Sequence, residues 1–162
     1  MDTLRVMGVD PGSQITGYGV VEQERARYRQ LVYGEIRPGR GVGLSDCLQM
    51  IYDGLREAIT ASVPDAVAIE DIFYGKNVRS LIRQAHVRGT AILAARHCAV
   101  PVFEYAPLEI KKAVVGYGRA EKSQVQAMVK AILALKELPP PDAADALAVA
   151  ICHLNFMKTD PL

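Results

Sequence analysis

Apolar and polar positions along this chain resolve into strands and helices by two periodicities. Leu4-Arg5-Val6-Met7-Gly8-Val9 is apolar and breaks at Pro11-Gly12, which predicts a buried strand ending in a sharp turn. Gln14 to Val21 alternates loosely and carries Gly17 and Gly19; glycine inside a strand marks close approach of backbone or ligand. Arg27 to Ile36, around Leu31-Val32-Tyr33, predicts a third strand, and the short gaps suggest an antiparallel meander. Leu44, Leu48, Ile51, Leu55 and Ile59 then recur at helical spacing, predicting an amphipathic helix over 44–61 capped by Ser45 or Asp46. Ala66-Val67-Ala68-Ile69 predicts a short buried strand. Ser80 to His97 predicts a long helix with Leu81, Ile82, Ala85, Ile92 and Ala95 inward. Val100 to Tyr105 predicts a further strand, and Glu109 to Val115 a short helix. A helix over 121–135 is predicted to bury Val125, Met128, Val129, Ile132 and Leu133. After Pro139-Pro140-Pro141 a last helix runs from Asp142 to about Phe156. The order β-β-β-α-β-α-β-α-α-α, without a repeat or long linker, predicts one α/β domain over 1–162.

Composition changes this picture little. The chain is 50% hydrophobic and 23% charged, as in an ordinary globular protein of 162 residues. Its three cysteines, Cys47, Cys98 and Cys152, form no CxxC pair, which argues against a disulfide framework or zinc site and for a reducing cytoplasm. No charged-then-apolar leader or membrane-length apolar run is visible, so no membrane partner is expected. Charge distribution says more than the net +1. The stretch from Lys76 to Lys122 carries a net +6, leaving −5 for the rest. A basic middle between acidic flanks fits a phosphate-binding face beside a carboxylate site. Lys76 and Arg119 lie in that stretch and are DNA-binding candidates.

The candidate chemistry lies at element ends. Asp10, Glu70, Asp142 and Asp145 each sit at the boundary of an apolar element. A carboxylate ending a core strand is costly unless a cation, donors or water meet it. Asp142 and Asp145 are three apart and share one helix face. Glu70 and its neighbour Asp71 are adjacent in a strand and face opposite ways. If the four carboxylates converge, repulsion of roughly 4 kcal/mol per pair at ~4 Å calls for divalent metal. Oxygen-only ligands suit magnesium or manganese rather than zinc. Two such ions could activate water and stabilise the leaving oxygen of a phosphodiester. Phe73, three residues past Glu70 in a loop, is placed to stack on an unpaired base. Gly89, near the middle of a long helix, costs ~1 kcal/mol relative to alanine and fits close helix packing, within the chain or across a dimer axis.

Gly8-Val9-Asp10-Pro11-Gly12, Ile69-Glu70-Asp71-Ile72-Phe73, Gly116 to Gln124 and Asp142-Ala143-Ala144-Asp145-Ala146-Leu147 follow the order and spacing of the RuvC family. The chain resembles these bacterial Holliday junction resolvases from Arg5 to about His153, with the GxxEKSQ and DAADALA stretches the most specific. The resemblance implies an RNase H-like fold: a five-stranded mixed sheet, three antiparallel strands then two more, flanked by helices. It implies a cytoplasmic homodimer that makes paired symmetric nicks in four-way junction DNA during recombination and repair. The family's catalytic and metal-binding acids fall on Asp10, Glu70, Asp142 and Asp145, for two Mg2+ ions, with Mn2+ an alternative. Some members have His where Asp142 stands. Its phosphate-contacting lysines fall on Lys111 and Lys122, its base-stacking aromatic on Phe73, and its dimer interface on the helix containing Gly89. RuvA and RuvB, the branch-migration proteins, are implied partners. Three rival readings follow from the same residues: an actin- or sugar-kinase-type phosphotransferase, an RNase H-like nuclease of other substrates, and an inactive junction-binding module.

Overall fold

The computed structural model describes residues 3–72 and 74–159. Its elements are β1 (Leu4–Asp10), β2 (Thr16–Glu24), β3 (Arg27–Ile36), α1 (Leu44–Ser62), β4 (Ala66–Glu70), α2 (Val78–His97), β5 (Val102–Tyr105), α3 (Pro107–Val115), α4 (Lys122–Ile132) and α5 (Pro141–Thr159). This is the order expected from the sequence. The strands form one sheet in the order β3-β2-β1-β4-β5. The first three are antiparallel, and β4 and β5 add parallel to β1.

Strand parity divides the interior. Val6, Ala66 and Ala68 face a core built with α3, α4 and α5. Met7, Val9, Val67 and Ile69 face a second core built with α1 and α2. α5 is buried on nearly every side from Ala143 to Leu154, the mark of a helix at the centre of a fold rather than on its surface. Its Leu147, Ile151 and Leu154 are fully buried, each stabilising by about 1.5–3 kcal/mol.

The helix reaches the sheet over a seam of glycines. A Cβ on Gly8 would lie 1.8 Å from the Ala146 carbonyl oxygen, and one on Gly17 2.1 Å from the Asp142 carbonyl oxygen. Gly19, paired with Gly8 across the sheet, would press on Leu147. The strand glycines mark close backbone approach, and the approaching element is the helix that carries two of the candidate carboxylates.

Several local expectations are corrected. Neither Ser45 nor Asp46 caps α1. Gly43 is the cap, the Cys47 amide closes the first turn onto its carbonyl, and both polar residues sit inside the helix. α2 starts earlier than expected, because the Asn77 side chain accepts from the Ser80 amide. In α2 the buried residues are Val87, Ala91, Ala94 and Ala95. Ile82 and Ala85, expected inward, are exposed. Only the second half of α2 packs on this chain's own core, and helical periodicity cannot tell a core-facing apolar stripe from an outward one. Met128 is likewise exposed at 40%, while Val125 and Val129 fill the contact with α5.

Candidate active site

Asp10 ends β1 and Glu70 ends β4, neighbouring parallel strands registered as Val9 against Ile69. Asp10 continues the face of Val6 and Gly8, and Glu70 that of Ala66 and Ala68, so both look toward α5. From that helix, Asp142 and Asp145 look back. Carboxylate oxygens of Asp10, Asp142 and Asp145 lie within 4.8 Å of one another. Asp10, Glu70 and Asp145 line one cleft of about 460 Å³ with Lys111 and Lys122. Asp71 faces the other way, as strand parity requires, and pairs with Arg88 of α2 at 3.3 Å.

The turn after β1 is held by its own chain. The Thr16 hydroxyl donates to the Gly12 carbonyl at 2.8 Å and accepts from the Gly12 amide at 3.3 Å. The Cys47 thiol donates to the Ser13 carbonyl at 3.4 Å. These supports escaped the sequence reading. A Thr four residues beyond a Pro-Gly turn was the available signal for the first, but nothing local points to the second.

The electrostatics are those of crowded acids. Burial, then the neighbouring Glu70, Asp145 and Asp142, raise Asp10 to about 8. Burial and then Asp145 also push Glu70 up, against the opposing pull of Asp10, Lys122 and Lys111. Asp145 is raised by burial, and Lys122 opposes the shift. Lys122 Nζ lies 3.0 Å from Asp145 Oδ2, and this partner raises the lysine's own pKa. Three hard oxygen donors held together against their own repulsion, with Glu70 on the wall of the same cleft, fit a divalent cation, and among the described residues no histidine or cysteine joins them.

Other sequence candidates fall outside this cleft. Lys76 and Arg119 are exposed and do not line it. Gly89 is exposed, and a Cβ there would meet nothing within 4 Å, so packing within the chain does not explain it. Phe73 lies outside the described residues.

A β3-β2-β1-β4-β5 sheet with an acidic cleft at the ends of its central parallel strands defines a metal-dependent nuclease of RNase H-like architecture. The chain belongs to the RuvC family: the family model described as Crossover junction endodeoxyribonuclease RuvC matches residues 6–153. It is 52% identical over 153 residues to a protein of that description from Caldanaerobacter subterraneus subsp. tengcongensis, covering 94% of this chain and 93% of the relative. It is 50% identical over 152 residues to one from Trichlorobacter lovleyi, covering 94% and 85%. The solved structure of T. thermophilus RuvC in complex with Holliday junction substrate superimposes with a TM-score of 0.91 at 32% identity, covering 96% of each chain. These likenesses exclude the phosphotransferase reading, and the intact acidic cleft argues against an inactive binding module.

Proposed function

We propose that this chain, acting as one nuclease domain, uses Asp10, Glu70, Asp142 and Asp145 to bind two divalent ions, magnesium in the cell, and nicks four-way junction DNA. The observation that carries this reading is the half-buried acidic cleft: carboxylate oxygens of Asp10, Asp142 and Asp145 lie within 4.8 Å of one another, and Glu70 lines the cleft beside Asp10 and Asp145. When bound, the ions supply Lewis-acid activation of the attacking water and charge stabilisation at the leaving oxygen. The protein's share is position. Asp10 and Glu70 are fixed by neighbouring strands and Asp142 and Asp145 by a buried helix, so all four candidate ligands sit on regular elements. Lys111 and Lys122 border the cleft and meet the phosphate backbone on either side of the cut. The test is cleavage of a synthetic four-way junction in Mg2+, in Mn2+ and in EDTA, against duplex, hybrid and splayed-arm controls. Symmetric, ligatable nicks only with metal and only on the junction are expected; equal cutting of a hybrid would favour a different RNase H-like substrate.

Each lysine that meets a phosphate contributes about 0.9 to the salt slope of binding. Lys111→Ala and Lys122→Ala are each expected to lower that slope by about one in a salt-titrated gel shift, and an unchanged slope removes the residue from the phosphate path. Lys122→Ala also frees Asp145 of its counter-charge. Phe73→Ala is expected to slow nicking while largely sparing junction binding, since stacking on an unpaired base is worth ~1–3 kcal/mol; equal losses in both assays would argue against stacking at the cut.

Paired nicks require two active sites. The outward face of α2 supports a homodimer: Val78, Ile82 and Leu93 are 61, 54 and 49% exposed along one side of the helix, with Gly89 between them. Ile82→Glu is expected to shift the protein to a monomer in sedimentation and to turn paired nicks into unpaired ones. A variant that remains a dimer would move the interface elsewhere. Assembly with RuvA and RuvB and a cytoplasmic setting rest on the family. No helix among the described residues is long and apolar enough to cross a membrane.

A further inference from the structure

A second groove opens on the other side of the Pro11-Gly12 turn. It encloses about 950 Å³ between the loop after β1, the loop after β3 and the first turns of α2. Arg37, Arg40, Arg79 and Arg83 line it, and no aspartate or glutamate does. Arg37 pairs with Glu35. The other three show no carboxylate partner among the described residues. Four cations with one counter-charge repel one another, and the local chain does nothing to relieve this. The first turn of α2 holds no acidic residue and carries Arg79 instead, so the positive end of the helix dipole adds to the cluster. Arg40 stands between Gly39 and Gly41, both at positive φ (105° and 74°), in a loop shaped by glycine rather than by packing.

We infer that this groove binds the phosphate backbone of the junction strand that passes over the Pro11-Gly12 turn, beyond the phosphate being cut. The inference rests on the nuclease reading above and adds a second contact surface to it. Three features support a DNA strand as the occupant. Guanidinium groups present forks that match phosphate oxygens in pairs. The arginines come from two separate segments around an open groove, which suits an extended polyanion. The groove also shares its rim with the acidic cleft: Asp10 lines one and Pro11 and Gly12 the other. Two residues of chain span at most ~7 Å, so backbone leaving the cleft enters the groove at once. The floor is prepared for it. The Cys47 thiol holds Ser13 and the Thr16 hydroxyl holds Gly12, so the turn is ordered before DNA arrives.

The test uses the full chain, a synthetic four-way junction, EDTA to prevent cutting, and the combined variant Arg40→Gln/Arg79→Gln/Arg83→Gln. All three positions are exposed, and the melting temperature checks that the fold survives. The salt slope of binding is expected to fall by about two to three, and the dissociation constant near 0.15 M salt to rise roughly 10- to 100-fold. Arg27→Gln, at the far end of the sheet, is the control and should bind as wild type does. Phosphate-ethylation interference locates the contact: the variant should lose sensitivity at phosphates away from the nick and keep it at the nick. An unchanged slope with affinity within twofold overturns the groove assignment, as does interference lost only at the nick. Failure of the nuclease reading looks different, because wild type itself would then neither prefer the junction nor cut it with metal.

Discussion

Asp10→Asn is expected to cut four-way junctions at least about 10³-fold more slowly than wild type while still binding them. The loss corresponds to roughly 4 kcal/mol of barrier, the scale of removing one ligand from metal ions that carry the developing charge. The same change should make the metal-free protein more stable. Asp10 is raised from 3.8 to about 8 by burial and by Glu70, Asp145 and Asp142. The folded state therefore holds a proton that the unfolded chain has already released. Stability from this group is complete below the unfolded value and is lost as pH rises toward 8. Wild type without metal should thus melt lower at pH 8 than at pH 5, and saturating Mg2+ should restore much of the difference. The amide cannot ionise, so Asp10→Asn should flatten this dependence. Because Glu70, Asp145 and Asp142 still crowd one another once Asp10 is neutral, removing one charge is expected to give on the order of 2 kcal/mol at pH 8, or about 5 °C. Calorimetry in EDTA across pH 5–8 checks it. A variant with wild-type pH dependence would mean that the carboxylates do not crowd one another.

Gly8→Ala is expected to be the most disruptive single-methyl change in the protein. The added carbon would sit 1.8 Å from the Ala146 carbonyl oxygen and 2.8 Å from the Ala150 amide nitrogen. Both are backbone atoms of a buried helix, so no side chain can swing aside. Overpacking of this kind costs 1–3 kcal/mol even where neighbours can give, and more where they cannot. We expect a loss of at least about 3 kcal/mol, near 8–10 °C in melting temperature. Lifting α5 from β1 also carries Asp142 and Asp145 away from Asp10. Cleavage at 20 °C should therefore fall by more than the folded fraction does. Melting and single-turnover cleavage on the same preparation separate the two effects, and a wild-type melting temperature would show that the helix has room to yield. Gly89→Ala is the instructive contrast, since it places the same methyl where the chain offers nothing within 4 Å.

These two glycines also show where sequence reading succeeds and fails. Element order was legible because each segment keeps one period and ends at Gly, Pro or a cap. The acidic site was legible because a carboxylate ending an apolar strand is anomalous by itself, and strand parity separated Glu70 from Asp71 before any coordinates. What a glycine was for was not legible. Gly8 and Gly89 look alike in the sequence, yet one lies under a helix and the other on an open face. The difference depends on which element arrives from more than a hundred residues away. The inward face of α2 failed for a related reason: Ile82 and Ala85 have the right spacing, but this part of the helix does not pack on the chain's own core. The basic middle was real as composition, yet the arginine groove draws half its cations from Arg37 and Arg40, outside the counted stretch.

The position of α5 in the chain adds a constraint in time. Its partners are β1 and β2, and among the described elements these come first in the chain and α5 comes after all the others. Until residues 141–159 have been synthesised, the groove over Gly8 and Gly17 has no occupant, and Asp10 and Glu70 stand without Asp142 and Asp145. A partly translated chain therefore exposes apolar sheet and has half of its acidic set. Contacts this distant in sequence also form slowly. On the proposed site, a product that stops before residue 141 is expected to fold poorly and to cut no junction, because it lacks both the helix that covers the sheet and half of the acidic set.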